Sequence, residues 1–594
     1  MKQPRSSWYI HVSFIVVAAV LSFVLHQAPY VFSSRPCSVG ADGDSAFHFA
    51  IQMKLRDPTL FPKDVELNEM YLSSRPAFEF AIHRAVIWLA DHLFRGNLFV
   101  ANSATFWCYH LVFLAGCYLL GLSVLRSSGG AALFSMASIG PSRAFNAWWG
   151  MAYGAVIPKY VGLTFVPWFL LGYLSWFQRP QRLVALFFAL GLVVNVYPLL
   201  PLYLGLILLA VTLCRPKPPW RLCAVMGVAF SGAALPSVLA LATGVFERAG
   251  TLNAQGQVIL ETLLRRHYDY ALLNLKHAAV SLISPVWFIL AIAGVGFILK
   301  RRQADSDEAE RPLFLRLSGW AVIVGLLGVA ANLANRLYLS LAHTSLVLVC
   351  GVGAVLWAVR TRLLGKWNMG LNTAEGQLLA VTAWTMVLSL AGFFVGAVYR
   401  PLLAFLFHRA SVFLYVPAYL GCAWLAMDWM RRRAALGTAL GVGVVLVMVL
   451  NGAMNTALFD RIRGAPIAQT SAPYYALSDW AARNTTASSL FMVPYGQHAE
   501  PFFAFRVYSA RGVLLHWVAG EMVISNPRLV TQFWQMSRDV EPLYAQASDT
   551  ADFVRVALKY RVDYIVTDRT TPRPPDLPVA YHNEGYTVFV VPPE

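Results

Sequence analysis

Gly40-Ala-Asp-Gly-Asp-Ser-Ala-Phe-His-Phe49 follows the first hydrophobic run of the chain and leads into Arg56-Asp57-Pro58-Thr-Leu-Phe-Pro-Lys63-Asp64. Here carboxylates gather at the mouth of a very apolar body. Asp42 and Asp44 are two residues apart, and His48 follows Asp44 by four. An acid is favoured at a helix N-cap, so the spacing predicts a helix starting at Asp44. Asp44 and His48 then share one face of that helix. A carboxylate held where lipid meets water is well placed to take a proton from a hydroxyl.

Composition sets the class. Of the 594 residues, 58% are hydrophobic and 13% charged, and the mean hydropathy is +0.55. That is too apolar for a soluble globular chain of this length. The net charge of +17 does not point to nucleic acid, because the basic residues punctuate apolar runs as membrane orientation requires. Of seven cysteines, Cys108, Cys117, Cys214, Cys223, Cys350 and Cys422 lie in or beside apolar runs, and Cys37 alone falls in the first large loop. No disulfide framework or metal-type Cys/His spacing is present.

Lys2 and Arg5 precede an apolar run from Tyr9 to Leu25 with no small-residue cleavage site after it;. This predicts a retained first span with a cytoplasmic N-terminus. Further spans of roughly 17–25 residues are expected to begin near Ala101, Tyr160, Leu183, Leu199, Arg221, Ala279, Leu313, Leu339, Leu378, Leu403 and Ala434, with a shorter one over Gly129–Ile139. The clusters Arg179/Arg182, Arg215-Pro-Lys217, Lys300-Arg-Arg302, Arg360-Thr-Arg362 and Arg431-Arg-Arg433 fall between alternate spans. All can be placed on the cytoplasmic side, satisfying the positive-inside rule. The expected architecture is a polytopic all-α membrane domain, residues 1–459, of about thirteen helices, followed by an external α/β domain, residues 460–594. Pro76–Leu93 carries Glu79, His83, Arg84, Asp91 and His92, so an amphipathic helix in the interface is favoured there over a span.

The external segments are then about 27–99, 243–277 and 460 to the end, with a short piece, Pro141–Pro158, containing Trp148-Trp149-Gly150 and Tyr153. Its aromatics are expected to form an interfacial belt. Past Asp460, short apolar runs alternate with turn residues. Helices are expected over Tyr474–Asn484 and Ala551–Tyr560, and strands over Leu490–Pro494, Val513–Trp517, Asp563–Thr567, Val579–Tyr581 and Thr587–Val591.

This arrangement resembles the GT-C glycosyltransferases. Asp44-Ser-Ala-Phe-His48 looks like the Asp-x-x-x-His element in the first external loop of oligosaccharyltransferase-type members. Tyr475-Ala-Leu-Ser-Asp-Trp480-Ala-Ala-Arg-Asn484-Thr485 and Leu490-Phe-Met-Val-Pro494 are similar to the start of their soluble domain. Arg506-Val-Tyr-Ser509-Ala-Arg511 and Tyr560-Arg-Val-Asp563-Tyr564-Ile-Val-Thr-Asp568 resemble pieces of a bacterial branch. The resemblance implies a donor in which a hexose or pentose is carried on polyprenyl phosphate, and a glycan, lipid or protein acceptor. It also implies a multi-pass bacterial inner (plasma) membrane location, with the C-terminal domain in the periplasm or outside the cell, serving the cell envelope. Two departures matter. The Trp-Trp-Asp motif of oligosaccharyltransferases is missing after Met492-Val-Pro-Tyr-Gly-Gln497, and Pro141–Pro158 lacks the acidic pair of their second external loop.

On this resemblance Asp44 is the expected general base, with Asp42 orienting the acceptor or raising the basicity of its neighbour. The competing reading makes Asp42-Gly43-Asp44 a turn and N-cap. The pair could also hold a loosely bound divalent ion, Mg or Mn. His48 is a candidate for holding the phosphate or the acceptor. Positive charge for the leaving phosphate is sought in Arg409, then Arg336, then the Leu264-Arg265-Arg266-His267-Tyr268 cluster, with Arg266 and His267 as contacts. Snorkelling to lipid phosphates is the bland alternative for the arginines. Arg506 and Arg511 are expected to tie the tail to the membrane body. Two other classes stand against a transferase: a transporter or lipid flippase, and a non-catalytic envelope-assembly protein that kept the fold.

Overall fold

A computed structural model gives the fold. The residues described are 6–27, 43–72, 80–140, 142–144, 147–151, 156–215, 218–249, 258–259, 371, 373–398, 407–431, 442, 472–495, 502, 504–516, 527–546, 548–569, 571 and 575–592. Helix α1 (Ser6–Ser22) ends in a π-helical turn, Phe23–Gln27, and α2 (Gly43–Arg56) carries the first-loop motif. After a second π-helical turn, Glu66–Leu72, come α3 (Ala81–Leu93), α4 (Leu98–Leu125) and α5 (Ser128–Ala137). A hairpin, β1 (Ser142–Ala144) and β2 (Ala147–Trp149), precedes α6 (Pro158–Trp176), α7 (Pro180–Val194), α8 (Leu199–Leu213) and α9 (Trp220–Ala249). Then follow α10 (Ala374–Val398), a 3₁₀ segment (Phe407–Leu414) and α11 (Tyr415–Arg431).

Among the described residues, α4 is the helix long and apolar enough to cross a membrane by length and composition, and α7 and α8 are shorter apolar helices. Helices coincide with the spans expected near 101, 160, 183, 199, 221 and 378. The spans expected near 279, 313, 339 and 434 lie outside the described residues. α3 is a 13-residue helix with His83, Val86 and Ala90 buried, while Trp88 and Leu93 are exposed. One buried stripe on so short a helix fits the interfacial placement.

Local chemistry fixes the helix ends. The Asn97 side chain accepts the N–H groups of Phe99 and Val100, both at 3.1 Å, and starts α4;. α6 and α7 each open on a proline, whose missing N–H costs nothing in the first turn;. In α9, Pro236 lies one residue before Ser237. The Asn195 side chain at the end of α7 accepts the Ser237 N–H through Oδ1 (3.1 Å) and donates through Nδ2 to the Ala233 carbonyl (2.8 Å). Backbone groups beside a helix proline are thus satisfied from a neighbouring element, as an apolar surrounding demands. α7 and α9 approach backbone to backbone at Gly191, where an added Cβ would lie 2.3 Å from the Phe230 carbonyl oxygen.

The expected aromatic belt in the second external piece is corrected at Trp149. Its ring is fully buried in the helical core, and its Nε1–H donates to Ser138 Oγ at 3.0 Å. The cause is Gly150: at φ +88° it turns the hairpin onto Gly140 too closely for any Cβ;.

The tail comprises α12 (Ala472–Asn484), β3 (Leu490–Met492), α13 (Phe505–Ser509), β4 (Gly512–Val513), α14 (Pro527–Ala545), α15 (Thr550–Lys559), β5 (Tyr564–Asp568), β6 (Val579–His582) and β7 (Tyr586–Val590). The strand order is β4-β3-β5-β7-β6. β3 runs parallel to β4 and β5, while β7 is antiparallel to β5 and β6. Alternation along the strands sends side chains to opposite faces. Leu490, Met492, Ile565 and Phe589 pack with Val530, Phe533 and Met536 of α14 and Phe553 and Val556 of α15. Phe491, Val493, Val566 and Val588 pack with Tyr474, Leu477 and Ala481 of α12 and Phe505 of α13. Helices therefore cover both faces, which explains why the central strands read as unbroken apolar runs.

Candidate functional site

α2 distributes its residues by helical period. Ala46, Phe49 and Ala50 join the core of the helical body, whereas Phe47 and Ile51 pack with Phe61, Leu67 and Phe80 of the first loop. Asp44, His48 and Gln52 recur every four residues on the stripe between;. Lys54 and Arg56 occupy the last turn, where they complement the helix dipole;. Arg56 also pairs with Asp91 of α3 at 2.7 Å.

The stripe meets other buried polar groups. His48 Nδ1 lies 3.3 Å from His83 Nε2, with the rings stacked at 5.2 Å between centroids. His83 Nδ1 lies 3.4 Å from Gln52 Nε2. Gln52 and Asn102 of α4 form a reciprocal amide pair, Gln52 Nε2 donating to Asn102 Oδ1 at 3.1 Å and Asn102 Nδ2 donating to Gln52 Oε1 at 2.5 Å. His83, Gln52 and Asn102 are all buried. His83 stood in the sequence as one polar residue of an interfacial helix; its position one stripe away from His48 depends on the packing of α3 on α2 and has no sequence signal.

On the other side of α2 the C-terminal domain closes over the first loop. Arg506 Nε donates to Asp64 Oδ2 at 2.6 Å, and its Nη2 donates to Asp64 Oδ1 (3.1 Å) and Glu66 Oε2 (2.8 Å). The three side chains are 2%, 0% and 1% exposed. Asp64 also accepts the N–H groups of Leu67 and Val513, each at 3.0 Å. Burial pulls the Arg506 guanidinium down, and the charges and hydrogen bonds of Asp64 and Glu66 more than reverse it, so its net shift is upward;. Burial pushes Glu66 up to about 7, further than Arg506 draws it down, and the neighbouring Asp64 charge adds to the rise. One cation facing two carboxylates leaves Glu66 the group that takes a proton. The guanidinium lies 5.9 Å from the centre of the Phe47 ring, one residue before His48. Lys63 and Asp563 form a second, half-exposed tie at 2.8 Å.

Arg506 therefore ties the tail to the first loop as expected. Arg511 does not: it turns into its own domain, donating to Thr485 Oγ1 (2.9 Å) and to the carbonyls of Ala482 (2.7 Å) and Thr485 (2.6 Å). It acts as a C-terminal cap on α12, holding carbonyls at the end of that helix;. Of the expected site residues, Asp44 lies in the first turn of α2 and His48 one turn further on. Arg409 is half-buried in the 3₁₀ segment, which packs on α10 and on the β1–β2 hairpin. Asp42, Arg336, Arg266 and His267 lie outside the described residues. Among the described residues no group of three or more His, Cys, Asp or Glu could hold a metal ion.

No family model matches the sequence, and no curated protein matches it. Among solved structures, the chain is similar to the apo oligosaccharyltransferase of Archaeoglobus fulgidus, at 14% identity and a TM-score of 0.47, over 94% of this chain and 69% of that one. It is similar to AglB of the same organism in complex with an inhibitory peptide and a dolichol-phosphate, at 14% identity and a TM-score of 0.47, over 95% and 70% of the two chains. It is also similar to ArnT of Cupriavidus metallidurans bound to undecaprenyl phosphate, at 16% identity and a TM-score of 0.36, over 98% of each chain. Oligosaccharyltransferase, the group that the first-loop motif resembles, is thus among these structures.

Proposed function

We propose that this chain is a membrane glycosyltransferase of GT-C type that moves one sugar from a polyprenyl-phosphate carrier to an acceptor on the external face. The observation that carries this reading is the mounting of α2. The helix with Asp44 and His48 is clasped between the apolar helical body and the α/β tail. Such a site faces a lipid-borne donor on one side and a polar acceptor on the other. In this reading Asp44 removes the proton of the acceptor hydroxyl as its oxygen attacks the anomeric carbon. The bond from that carbon to the phosphate oxygen breaks, and the phosphate leaves with the electron pair. Direct displacement with one base inverts the anomeric configuration. In the same reading Arg409 stabilises the departing phosphate. The first domain, 1–459, holds the carrier and the second, 460–594, orders the first loop.

The test is turnover by purified protein in lipid with a panel of radiolabelled polyprenyl-phosphate sugars, wild type beside Asp44→Asn, with and without chelator. Sugar release that needs Asp44 is the expected outcome, and the preferred donor names the sugar. Product with the donor's anomeric configuration sinks single displacement. Equal release by Asp44→Asn sinks the assignment of the base. Movement of the lipid carrier across the bilayer without release moves the chain to the flippase class, and silence with every donor and acceptor moves it to a retired fold.

A further inference from the structure

Residues 92–246 contain no aspartate or glutamate, yet Arg179, Arg182, Arg215 and Arg221 lie among them. The fold gathers these four arginines at one end of the helical body. α7 and α9 run parallel, since Gly191 lies against Phe230 and Asn195 bonds to Ala233 and Ser237. Followed back by equal lengths, to Arg182 and to Arg221, the two helices bring their N-termini to one level. Arg215, just after α8, reaches the end of α6. Its Nη2 donates to the Phe177 carbonyl, and its guanidinium lies 3.9 Å from the centre of the Phe177 ring. The Arg182 guanidinium lies 5.9 Å from the centre of the adjacent Trp176 ring. Arg215 thus has a task within the fold, capping α6. The other three stand where folding does not favour them. Arg179 is the N-cap of α7 and makes no side-chain cap bond, Arg182 is the third residue of that helix, and Arg221 is the second of α9. Positive charge at a helix N-terminus opposes the helix dipole. All three are exposed, and among the described residues no carboxylate pairs with any of the four.

We propose that this end of the bundle is a seat for the phosphate of an anionic phospholipid, in the leaflet opposite the candidate site. Helix N-termini and guanidinium forks both receive phosphate oxygens. One anion therefore relieves the repulsion among three arginines and two helix ends. The surface beneath them says which kind of anion. α7 exposes Phe188 and Leu192, α9 exposes Val225 and Val228, and Trp220 at the head of α9 is 68% exposed. An anion site above outward-facing apolar helices matches a lipid headgroup above its chains. The depth agrees. Just before α6 the Val156 N–H donates to Asn102 Oδ1 at 3.3 Å, beside the candidate site. The 19 residues of α6 then span about 28 Å to the seat, close to the thickness of a bilayer core. The inference rests on the membrane reading proposed above and not on the chemistry at Asp44.

The test follows thermal unfolding of the full chain in detergent as dihexanoyl phosphatidylglycerol is added, beside dihexanoyl phosphatidylcholine and inorganic phosphate. Phosphatidylglycerol should raise the midpoint at concentrations where the other two do not. Arg182→Gln should weaken its apparent affinity about fivefold, and Arg182→Gln/Arg221→Gln about twenty-fold. Both arginines are exposed, so neither change should unfold the protein. Arg84→Gln removes an exposed arginine of α3, near the candidate site, and should leave the affinity within about twofold, its charge being more than a Debye length from the seat. Equal stabilisation by the zwitterionic lipid overturns the seat, as does unchanged affinity in the double variant or equal loss in Arg84→Gln. Stabilisation by inorganic phosphate alone gives the arginines to a free anion and overturns the lipid. A chain that stays folded and dispersed without detergent removes the membrane reading and the seat together. Discrimination between the lipids in a protein inert to every sugar donor fells the transferase reading and leaves the seat standing.

Discussion

Arg506→Met tests how the tail holds the first loop. The substitution keeps most of the side-chain volume and removes the bonds to Asp64 Oδ1 and Oδ2 and to Glu66 Oε2. Asp64 retains the Leu67 and Val513 N–H groups, but both carboxylates lose their buried cation. Removing one partner of a buried, hydrogen-bonded ion pair costs about 3–5 kcal/mol. The loss should be felt as opening of the contact between loop and domain. Hydrogen exchange in peptides covering 57–72 and 504–516 should therefore accelerate by about 10²- to 10³-fold or more. The effect carries a pH signature. Glu66 holds its proton up to about 7 in the native contact and to about 4.5 when exposed. The native state therefore binds more protons between those values, and stability falls as pH rises through that window, by on the order of 3 kcal/mol. Without Arg506 the native Glu66 should keep its proton to still higher pH, so the variant goes on losing stability above 7 where wild type levels off. Asp64→Leu/Glu66→Leu/Arg506→Met together should recover much of the loss, because apolar replacement of a whole buried triad is often neutral or better. An Arg506→Met protein with wild-type exchange at pH 8, or with the wild-type pH profile, would refute the clasp.

Other perturbations separate the strong contacts from the weak ones. Lys63→Ala breaks the half-exposed pair with Asp563 and should change the same exchange rates by less than about fivefold, corresponding to at most about 1 kcal/mol. Asn97→Ala removes the cap of α4 and should cost about 1 kcal/mol in thermal or denaturant unfolding. Gly150→Ala combines φ +88° with a Cβ 2.2 Å from the Gly140 carbonyl oxygen. It should cost several kcal/mol, roughly a strained φ plus overpacking, and raise the solvent accessibility of Trp149 as read by fluorescence quenching. Asn195→Ala strips the amide from Ser237 N–H and Ala233 C=O. It should cost about 1–3 kcal/mol in the same unfolding measurement, whereas Asn195→Gln should not restore the register.

The local part of this structure was legible in the sequence. Short apolar runs separated by turn residues located α12, β3, β5, β6, β7 and α15 within a residue or two, because each is a single-period pattern bounded by its own stops. α14 was also readable, since Val530, Phe533, Met536, Val540 and Leu543 recur at helical spacing, but its polar remainder and Pro542 hid it among turn-like residues. The strand expected over 513–517 shrank to Gly512–Val513 because only its first residues pair with β3. The site divides the same way. Asp44 and His48 share a helix and their spacing announces it, whereas His83, Gln52 and Asn102 join them only once α3 and α4 pack on α2. Arg506 and Arg511 look equivalent in sequence, five residues apart. The turn at Ala510, with φ +54°, sends one guanidinium to the first loop and the other back to α12.

The clasp of Arg506 on Asp64 joins residues 442 positions apart. During synthesis the first loop emerges 442 residues before Arg506, and its carboxylates must wait in water until that arginine has left the ribosome. The apolar helices can associate in that interval, but α2 receives its outer wall only afterwards. A nascent chain stalled before Arg506 would thus carry its helical body and lack the ordered first loop, so that assembly of the site is timed by the α/β tail.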